Sequence, residues 1–453
     1  MIALEELSSQ LRGDLITPES AKYDSVRRVW NGMIDRRPAA IVCCAGVADV
    51  VTTVRFAAQS NTLLAIRGGG HNIAGLATCD NGLVIDMRRM KGSHVDPARR
   101  TIRAQAGMCW GDFDHETQLF GLATTGGQIS TTGISGLTLG GGFGWLMGRC
   151  GLARDNVTSL QIVTADGIVR TASADEHPGL YWALRGGGGN FGAVGSLEYQ
   201  LHPITTVLAG MLAHPLERAG QALRFYRDYI ESVPDELAVY ASVLSTDDGL
   251  DVFAFLPCYC GDNLETGAAL LEPLRKFGPP IGDTIVPMRY EVLQRMLDPA
   301  FPHGIRSYWK SNFVQTLSDD AIDTFVSYAD SRTSPRTICA FEPCHGKVQR
   351  VAPEATAATS LRKHRLAMHL LAAWEGQDPE PHIRWTRQFW SDMQPYSAGS
   401  AYVNTLSADD SGRILEAYGG SNYQRLAEIK LKYDPTNVFR VNHNIDPAKA
   451  VVG

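Results

Sequence analysis

Glycine is clustered in this chain, and the clusters limit what the segments holding them can become. There are 45 glycines in 453 residues, and the excess falls at residues 68–70, 126–151 and 186–195. Such density would unravel an ordinary helix interior and weaken a strand. Collagen-like or disordered sequence would spread glycine differently. Clustered glycine instead lets backbone approach a ligand closely, with φ > 0 where a turn needs it. The first cluster, Arg67-Gly68-Gly69-Gly70-His71-Asn72, follows an apolar run, Leu63-Leu64-Ala65-Ile66, that reads as a short buried strand. Successive N–H groups in such a turn form a concavity suited to a pyrophosphate. His71 stands where it can touch whatever the loop holds. Taken alone, the segment is equally a tight turn with an exposed histidine.

The longest cluster, Thr125 to Asn156, carries Gln128, Ser130, Thr131, Thr132 and Ser135 among its glycines. These supply hydroxyl and amide hydrogen bonds to a backbone-lined trough, as a long phosphate-bearing ligand requires. Gly187-Gly188-Gly189-Asn190-Phe191-Gly192 satisfies GxGxxG, but a helical pattern precedes it and a strand pattern follows. A nicotinamide-binding fingerprint needs the reverse order, so close backbone packing is the better reading. Two glycine troughs without a Walker lysine suggest a dinucleotide other than ATP.

The flanking sequence is that of an α/β opening. Residues 39–44, 63–66 and 83–86 read as strands, and Val47 to Gln59 as an amphipathic helix with its valines on one face. Thr101–Ala106 alternates, Trp110–Phe120 is helical, and Gly121 stands at the C-cap position. Asp166-Gly167 between 161–165 and 168–171 is a strong hairpin signal. Leu180–Leu184 and Ala193–Leu201 read as helix and strand. Beyond residue 204 glycine thins. Helical patterns at 219–232 and 319–331 alternate with strand patterns at 238–244, 251–256, 337–341 and 401–406, the texture of an antiparallel α+β unit.

The net charge of −6 without a basic stripe argues against nucleic-acid binding. No apolar run is long enough for a bilayer. The first six residues are acidic where a signal peptide is basic. Nine cysteines without CxxC spacing suit reduced thiols in a cytoplasm better than a disulfide framework. Cys258 and Cys260 would point to opposite strand faces, and His364 and His369 are wrongly spaced for adjacent helical ligands. No metal site is expected.

Five ordered motifs resemble one family. They are RGGGHN, the glycine-rich run from Gly126 to Leu146, CGLARDN, RGGGGNFG and YDPTNVFRVNHNIDP. Together they are similar to the berberine-bridge-type oxidases of the vanillyl-alcohol oxidase superfamily, with bacterial hydroxynicotine, sugar and polyketide oxidases as relatives. The resemblance implies an α+β, two-domain PCMH-type FAD-binding fold. The FAD-binding domain would span 1–204, with its core at about 36–204. An antiparallel-sheet substrate domain would span 205–410, and 411–453 would return to the FAD domain.

The same resemblance implies that His71 is joined to FAD through the flavin's 8α-methyl group. It assigns Arg67, Gly68, Gly69, Gly70, Asn72, Gln128, Ile129, Thr131, Thr132, Gly133, Gly136, Gly140, Gly141, Gly142, Trp145, Cys150, Val194, Asn442 and Asn444 to the cofactor's surroundings. Ile129 replaces the cysteine that gives many relatives a second tether, so one covalent bond is expected. Cys150 would be a bystander thiol. The small side chain of Thr132, at a position that controls oxygen access, fits an oxidase.

For catalysis, relatives often present a tyrosine at the end of a YxNY strand. Here the segment is Tyr402-Val403-Asn404-Thr405. Thr405 cannot serve as a phenolate, and period-two alternation puts Tyr402 on the opposite face. Glu342 is then the nearest acid/base candidate, since a carboxylate in an apolar pocket holds a proton more tightly. A solvated or salt-bridged strand-end glutamate is an equal alternative. His345 and His369 (as helix-face histidines), Tyr308 (packed) and Lys310 (surface) are weaker candidates. The expected activity is oxidation of a small amine, alcohol or secondary metabolite, with O2 as acceptor and H2O2 as product. A flavin dehydrogenase using another acceptor, or a non-catalytic flavin-fold binding module, are the alternatives. A homodimer is compatible with the sequence.

Overall fold

The computed structural model describes residues 4–358 and 360–450. The first three residues of the acidic amino-terminal stretch, Thr359, and the last three of the 411–453 segment lie outside the described residues. Three principal sheets organise the chain. The first contains β1 (Asp14–Ile16), β2 (Ala40–Cys43), β3 (Leu64–Arg67) and β4 (Leu83–Asp86) in the order β1-β2-β4-β3. Helix α1 (Val47–Gln59) connects β2 to β3, and both strands run parallel to β4. Each of the three is buried over most of its length. This explains their continuous apolar runs, because strands covered on both faces cannot alternate.

The second sheet contains β5 (Ser93–Asp96), β6 (Thr101–Gln105), β7 (Val157–Val163), β8 (Val169–Ser173) and β9 (Ala193–Gln200), all antiparallel, in the order β5-β6-β9-β7-β8. Gly167, at φ 69°, closes the β7–β8 hairpin that Asp166-Gly167 signalled. Helix α2 (Trp110–Gln118) and the short helix α3 (Ile134–Gly140) follow β6, and α4 (Pro178–Leu184) precedes β9. One continuous core joins both sheets to the carboxy-terminal helix Gly420–Tyr433 through residues such as Trp110, Leu160, Phe191 and Leu426.

The third sheet has nine antiparallel strands. Its centre runs β11 (Asp251–Tyr259), β10 (Leu237–Ser245), β13 (Ile338–Pro343), β14 (Leu366–Trp374), β12 (Arg306–Val314). Period-two alternation decides its faces. Val239, Ala241, Val243, Cys339, Phe341, Met368 and Leu370 pack under helices Ala219–Tyr229, Asp319–Ala329 and Glu380–Asp392. Tyr240, Ser242, Leu244, Ile338, Ala340, Glu342, His369 and Leu371 turn to the other side and line a cavity. The fold is therefore α+β, as expected.

Several local expectations are corrected. Residues 401–406 are not a strand, because Val403–Thr405 forms a single 3-10 turn. Helix 110–120 ends at Gln118. Cys258 and Cys260 enter one apolar cluster together with Cys150 instead of facing apart, because residues two apart in an extended segment share one face. His369 lies on strand β14, and His345 in the turn after β13; neither is on a helix. Lys310 is buried and paired with Asp409 and Asp410.

One buried ion pair holds the glycine-rich turn in place. Asp155 accepts from Arg362 at 2.5 and 3.1 Å and from Leu152 N at 2.9 Å. The adjacent Ala153 and Arg154 amides bond Gly142 O and Gly141 O. Burial alone would raise the Asp155 carboxyl, but the Arg362 hydrogen bonds and charge carry it below its ordinary value. Arg362→Met should therefore cost about 3–5 kcal/mol in chemical unfolding, because it strands a buried carboxylate. The native pair contributes stability above the unfolded Asp155 pKa and loses it as pH falls through the folded value. The gap between native and variant should then narrow in acid.

Candidate functional site

A cavity of about 370 Å3 runs from the glycine loops to the third sheet. Its wall on the glycine-loop side is built largely of backbone. Glycine is required here because chain meets chain: a Cβ at Gly69 would lie 2.3 Å from Gly133 N, and one at Gly68 2.5 Å from Ser135 Oγ. Gly136 and Gly189 also line the cavity but have nothing within 4 Å of such a Cβ. Any side chain there would fill the ligand space, so these two residues form a cradle. Asn442 Oδ1 and His443 Nε2, on the same wall, are buried without a protein partner. Such orphaned groups are rare unless a ligand or water satisfies them. A long ligand with a phosphate-bearing chain and polar ring atoms fits this donor set.

His71 lines the same cavity. Its ring stacks on Trp30, with centroids 5.0 Å apart and planes at 20°. Thr131 Oγ1 lies 3.0 Å from Nε2, and Thr132 Oγ1 3.4 Å from Nδ1. Packing pushes the pKa of this half-buried ring down to about 3, with His303 adding to the shift. The imidazole is therefore neutral and keeps a free lone pair.

Where the third sheet forms the wall, the lining holds a polar cluster among mainly apolar residues. Gln128 Nε2 donates to Glu342 Oε1 at 2.7 Å and to Tyr240 OH at 3.0 Å. Ala340 pairs with His369 across β13 and β14. Glu342 and His369 are thus diagonal neighbours on one face, with Oε2 and Nε2 3.2 Å apart. Burial, and then the charge of Glu342, raises Tyr240 well above the ordinary phenol value. Glu342 is only 6% exposed, so the solvated alternative is excluded. Among the described residues no lysine or arginine lines the cavity.

Tyr402, Val403, Asn404 and Thr405 all reach the cavity, which overturns the opposite-face expectation. The 3-10 turn, with Thr405 N bonded to Tyr402 O, brings side chains three residues apart into line, so Tyr402 and Thr405 share one side. Tyr402 OH accepts from Gly142 N at 2.9 Å and Asn404 Nδ2 at 2.8 Å, and burial pushes its pKa up to about 12. Asn404 Nδ2 also holds Leu137 O. Thr405 Oγ1 is 2.6 Å from Ser311 Oγ and donates to Tyr402 O. These three side chains brace one another.

Most of the remaining candidates converge: Gly68, Gly69, Gly70, Asn72, Gln128, Ile129, Thr132, Gly133, Gly136, Gly140, Val194 and Asn442 line the cavity. Seven do not. Arg67 is fully buried away from it, bonding Val26 O, Arg27 O and Ala77 O beside Asp86. Thr131 reaches His71 from outside the cavity. Gly141 and Gly142 pack against Tyr402 and Ala153. Trp145 stacks on Tyr240 from behind, at 4.4 Å. Cys150 lies in an apolar cluster that pushes its thiol up to about 12. Asn444 lies off the wall. His345, Tyr308 and Lys310 also lie outside the lining.

Trp30, Tyr240, Tyr418 and His443 line the cavity without having been singled out from sequence, as do Gly188 and Gly189 of the GxGxxG run. That run sits between α4 and β9, the order that excludes a nicotinamide fingerprint, yet it still faces ligand space. The alternation of β10 was the signal that could have found Tyr240. Nothing local marks Trp30.

The comparisons with known proteins agree with this geometry. Residues 38–173 match the family model for an FAD binding domain, and 401–446 match the berberine and berberine-like model. An FAD-linked oxidoreductase of Dictyostelium discoideum is 31% identical, over 98% of this chain and 97% of its own length. The (R)-6-hydroxynicotine oxidase of Paenarthrobacter nicotinovorans is also 31% identical, over 96% and 97%. The crystal structure of 6-hydroxy-D-nicotine oxidase from Arthrobacter nicotinovorans superposes with a TM-score of 0.88 at 29% identity, covering 96% of this chain and 98% of that one. A chitooligosaccharide oxidase at 24% identity shares the fold, with a TM-score of 0.86 over 98% and 99%. The chain belongs to the berberine-bridge-like FAD-linked oxidoreductases of the vanillyl-alcohol oxidase superfamily, and it is an FAD-dependent enzyme.

Proposed function

We propose that the enzyme is an oxidase of a small, largely apolar amine or alcohol, with FAD tethered through His71 alone. The supporting observation is the continuity of one cavity, which joins a glycine cradle ending at His71 to the Glu342–Gln128–His369 cluster. Gly68, Gly69, Gly70, Gly133 and Gly136 would hold the pyrophosphate, and Asn442 and His443 polar atoms of the flavin ring. Among the described residues no cysteine lines the cavity, which supports a single tether. Bound FAD would supply the redox chemistry: an acceptor for the hydride of a substrate carbon, whose two electrons, with two protons, O2 would take as H2O2.

The chain's own part is to bind, orient and take a proton. The apolar walls exclude water from the reacting carbon. Glu342, held by Gln128, accepts a hydrogen bond from the substrate nitrogen or oxygen and can take its proton. A buried carboxylate whose basic neighbour is His369, with no lysine or arginine among the described lining residues, favours neutral or cationic substrates over anions. The proposed division into 1–204, 205–410 and 411–453 puts the cradle on the first segment, the polar cluster mainly on the second, and Asn442 on the third. No described helix is long and apolar enough to cross a membrane.

An anaerobic spectral screen of amines, alcohols, phenols and sugars tests the reading. At least one apolar amine or alcohol should bleach the flavin, and mixing the reduced enzyme with O2 should restore its colour rapidly. Slow reoxidation would make it a dehydrogenase. A spectrum that no compound bleaches would favour a binding module.

A further inference from the structure

We propose that Trp30 is a positioning residue for flavin attachment, its indole holding the His71 ring in the orientation from which an imidazole nitrogen meets the flavin methyl group. The proposal rests on the reading of His71 as the tether. Residues 30–32 form a strap between the His71 loop and the segment 301–307 that leads into β12. Trp30 N donates to Gly70 O at 3.1 Å, Gly304 N donates to Trp30 O at 2.8 Å, and Gly32 N donates to Ile305 O at 2.8 Å. The indole Nε1 donates to Phe301 O at 3.0 Å. Asn31 Nδ2 donates to Ile73 O and Ser307 O at 3.0 and 2.9 Å. Backbone and indole edge are therefore both fixed, and the ring face is presented to His71. Trp309 meets Trp30 edge-on, with centroids 5.6 Å apart, and closes the other side.

Stacking on one face and two threonine hydroxyls at the nitrogens leave the imidazole little freedom to rotate. Fixing a nucleophile before reaction removes orientational entropy from the barrier. Attachment replaces the His71 N–H and one methyl C–H of the flavin with an N–C bond. Two protons and two electrons leave, and O2 takes them as H2O2. Only the neutral ring has the lone pair this bond needs, and the packing around His71 keeps it neutral.

The test uses the full chain, made flavin-free under riboflavin limitation and then mixed with FAD in air. Tethered flavin is followed by fluorescence retained on a denaturing gel and by intact mass. Total bound FAD is read from absorbance. The native chain should reach one tethered flavin per chain. Trp30→Leu should tether about tenfold more slowly while binding a full complement of FAD, and Trp30→Phe, which keeps a ring, should recover most of the rate. Tethering at the native rate in Trp30→Leu overturns the proposal and leaves His71 as the tether. Loss of total FAD binding in Trp30→Leu without recovery in Trp30→Phe also overturns it, by making the indole structural. A native chain that never tethers flavin overturns both readings.

Discussion

Replacing His71 with alanine is expected to leave a folded yellow protein that releases its flavin on acid precipitation, whereas the native chain carries the flavin into the pellet. The side chain's contacts are one aromatic stack and two threonine hydroxyls at a half-buried position. Their loss should cost about 1 kcal/mol of folding stability. The backbone of the loop depends on other groups. Gly70 O is held by Trp30 N, and Asn72 Oδ1 caps Leu76 N at 3.0 Å. The cradle at Gly136 and Gly189 is untouched, so FAD should still bind without the bond. The thiols offer no substitute anchor. Ile129 stands on the cavity wall where a second tether would be, and Cys150 is turned into an apolar cluster. Flavin retained in the precipitated variant would place the tether on another residue. A native protein that releases its flavin would show that no tether forms.

What could be read from the sequence was whatever is encoded within a few residues. Helix α1 spans Val47–Gln59 as its valine spacing predicts, and the β7–β8 hairpin turns at Asp166-Gly167. The loop Arg67–Asn72 reaches ligand space because glycine lets it pass against Gly133, a demand written into both segments. The failures involve partners distant in the chain. Lys310 reads as a surface residue because the aspartates that bury it lie about a hundred residues later. Arg67 adjoins the glycine loop, yet Asp86 and the carbonyls of residues 26, 27 and 77 claim its guanidinium. At 401–406 the apolar alternation fits a strand. The Tyr402 hydroxyl is instead drawn to Gly142 N, and the Thr405 hydroxyl closes back on Tyr402 O. The first bond comes from a segment distant in the chain, and the second, a local side-chain bond, competes with a sheet ladder. Trp30 had no local signature, because its role exists only once residues 301–307 are folded beside it.

Glu342→Gln is expected to slow anaerobic flavin bleaching by about 10²–10⁴-fold, the usual range for losing a positioned general base. The change preserves shape, and the Gln128 amide can still donate to the new carbonyl oxygen, so flavin content and thermal stability should stay near native. What disappears is the one carboxylate in the cavity wall, and with it the acceptor for a substrate proton. Three of the other polar groups there are poor replacements. Tyr402 and Tyr240 are held protonated by burial, and Thr405 is committed to Ser311 and Tyr402 O. Gln128→Leu should act in the same direction but more weakly, because it leaves the carboxylate in place and removes only the bond that aims it. The two variants can be ordered by single-turnover rates at saturating substrate, with the substrate taken from the spectral screen. If Glu342→Gln bleaches within about threefold of native, general-base catalysis supplies almost none of the rate acceleration. The substrate would then be an amine that binds already neutral, whose nitrogen lone pair expels the hydride without a base, and Glu342 would serve only to orient it.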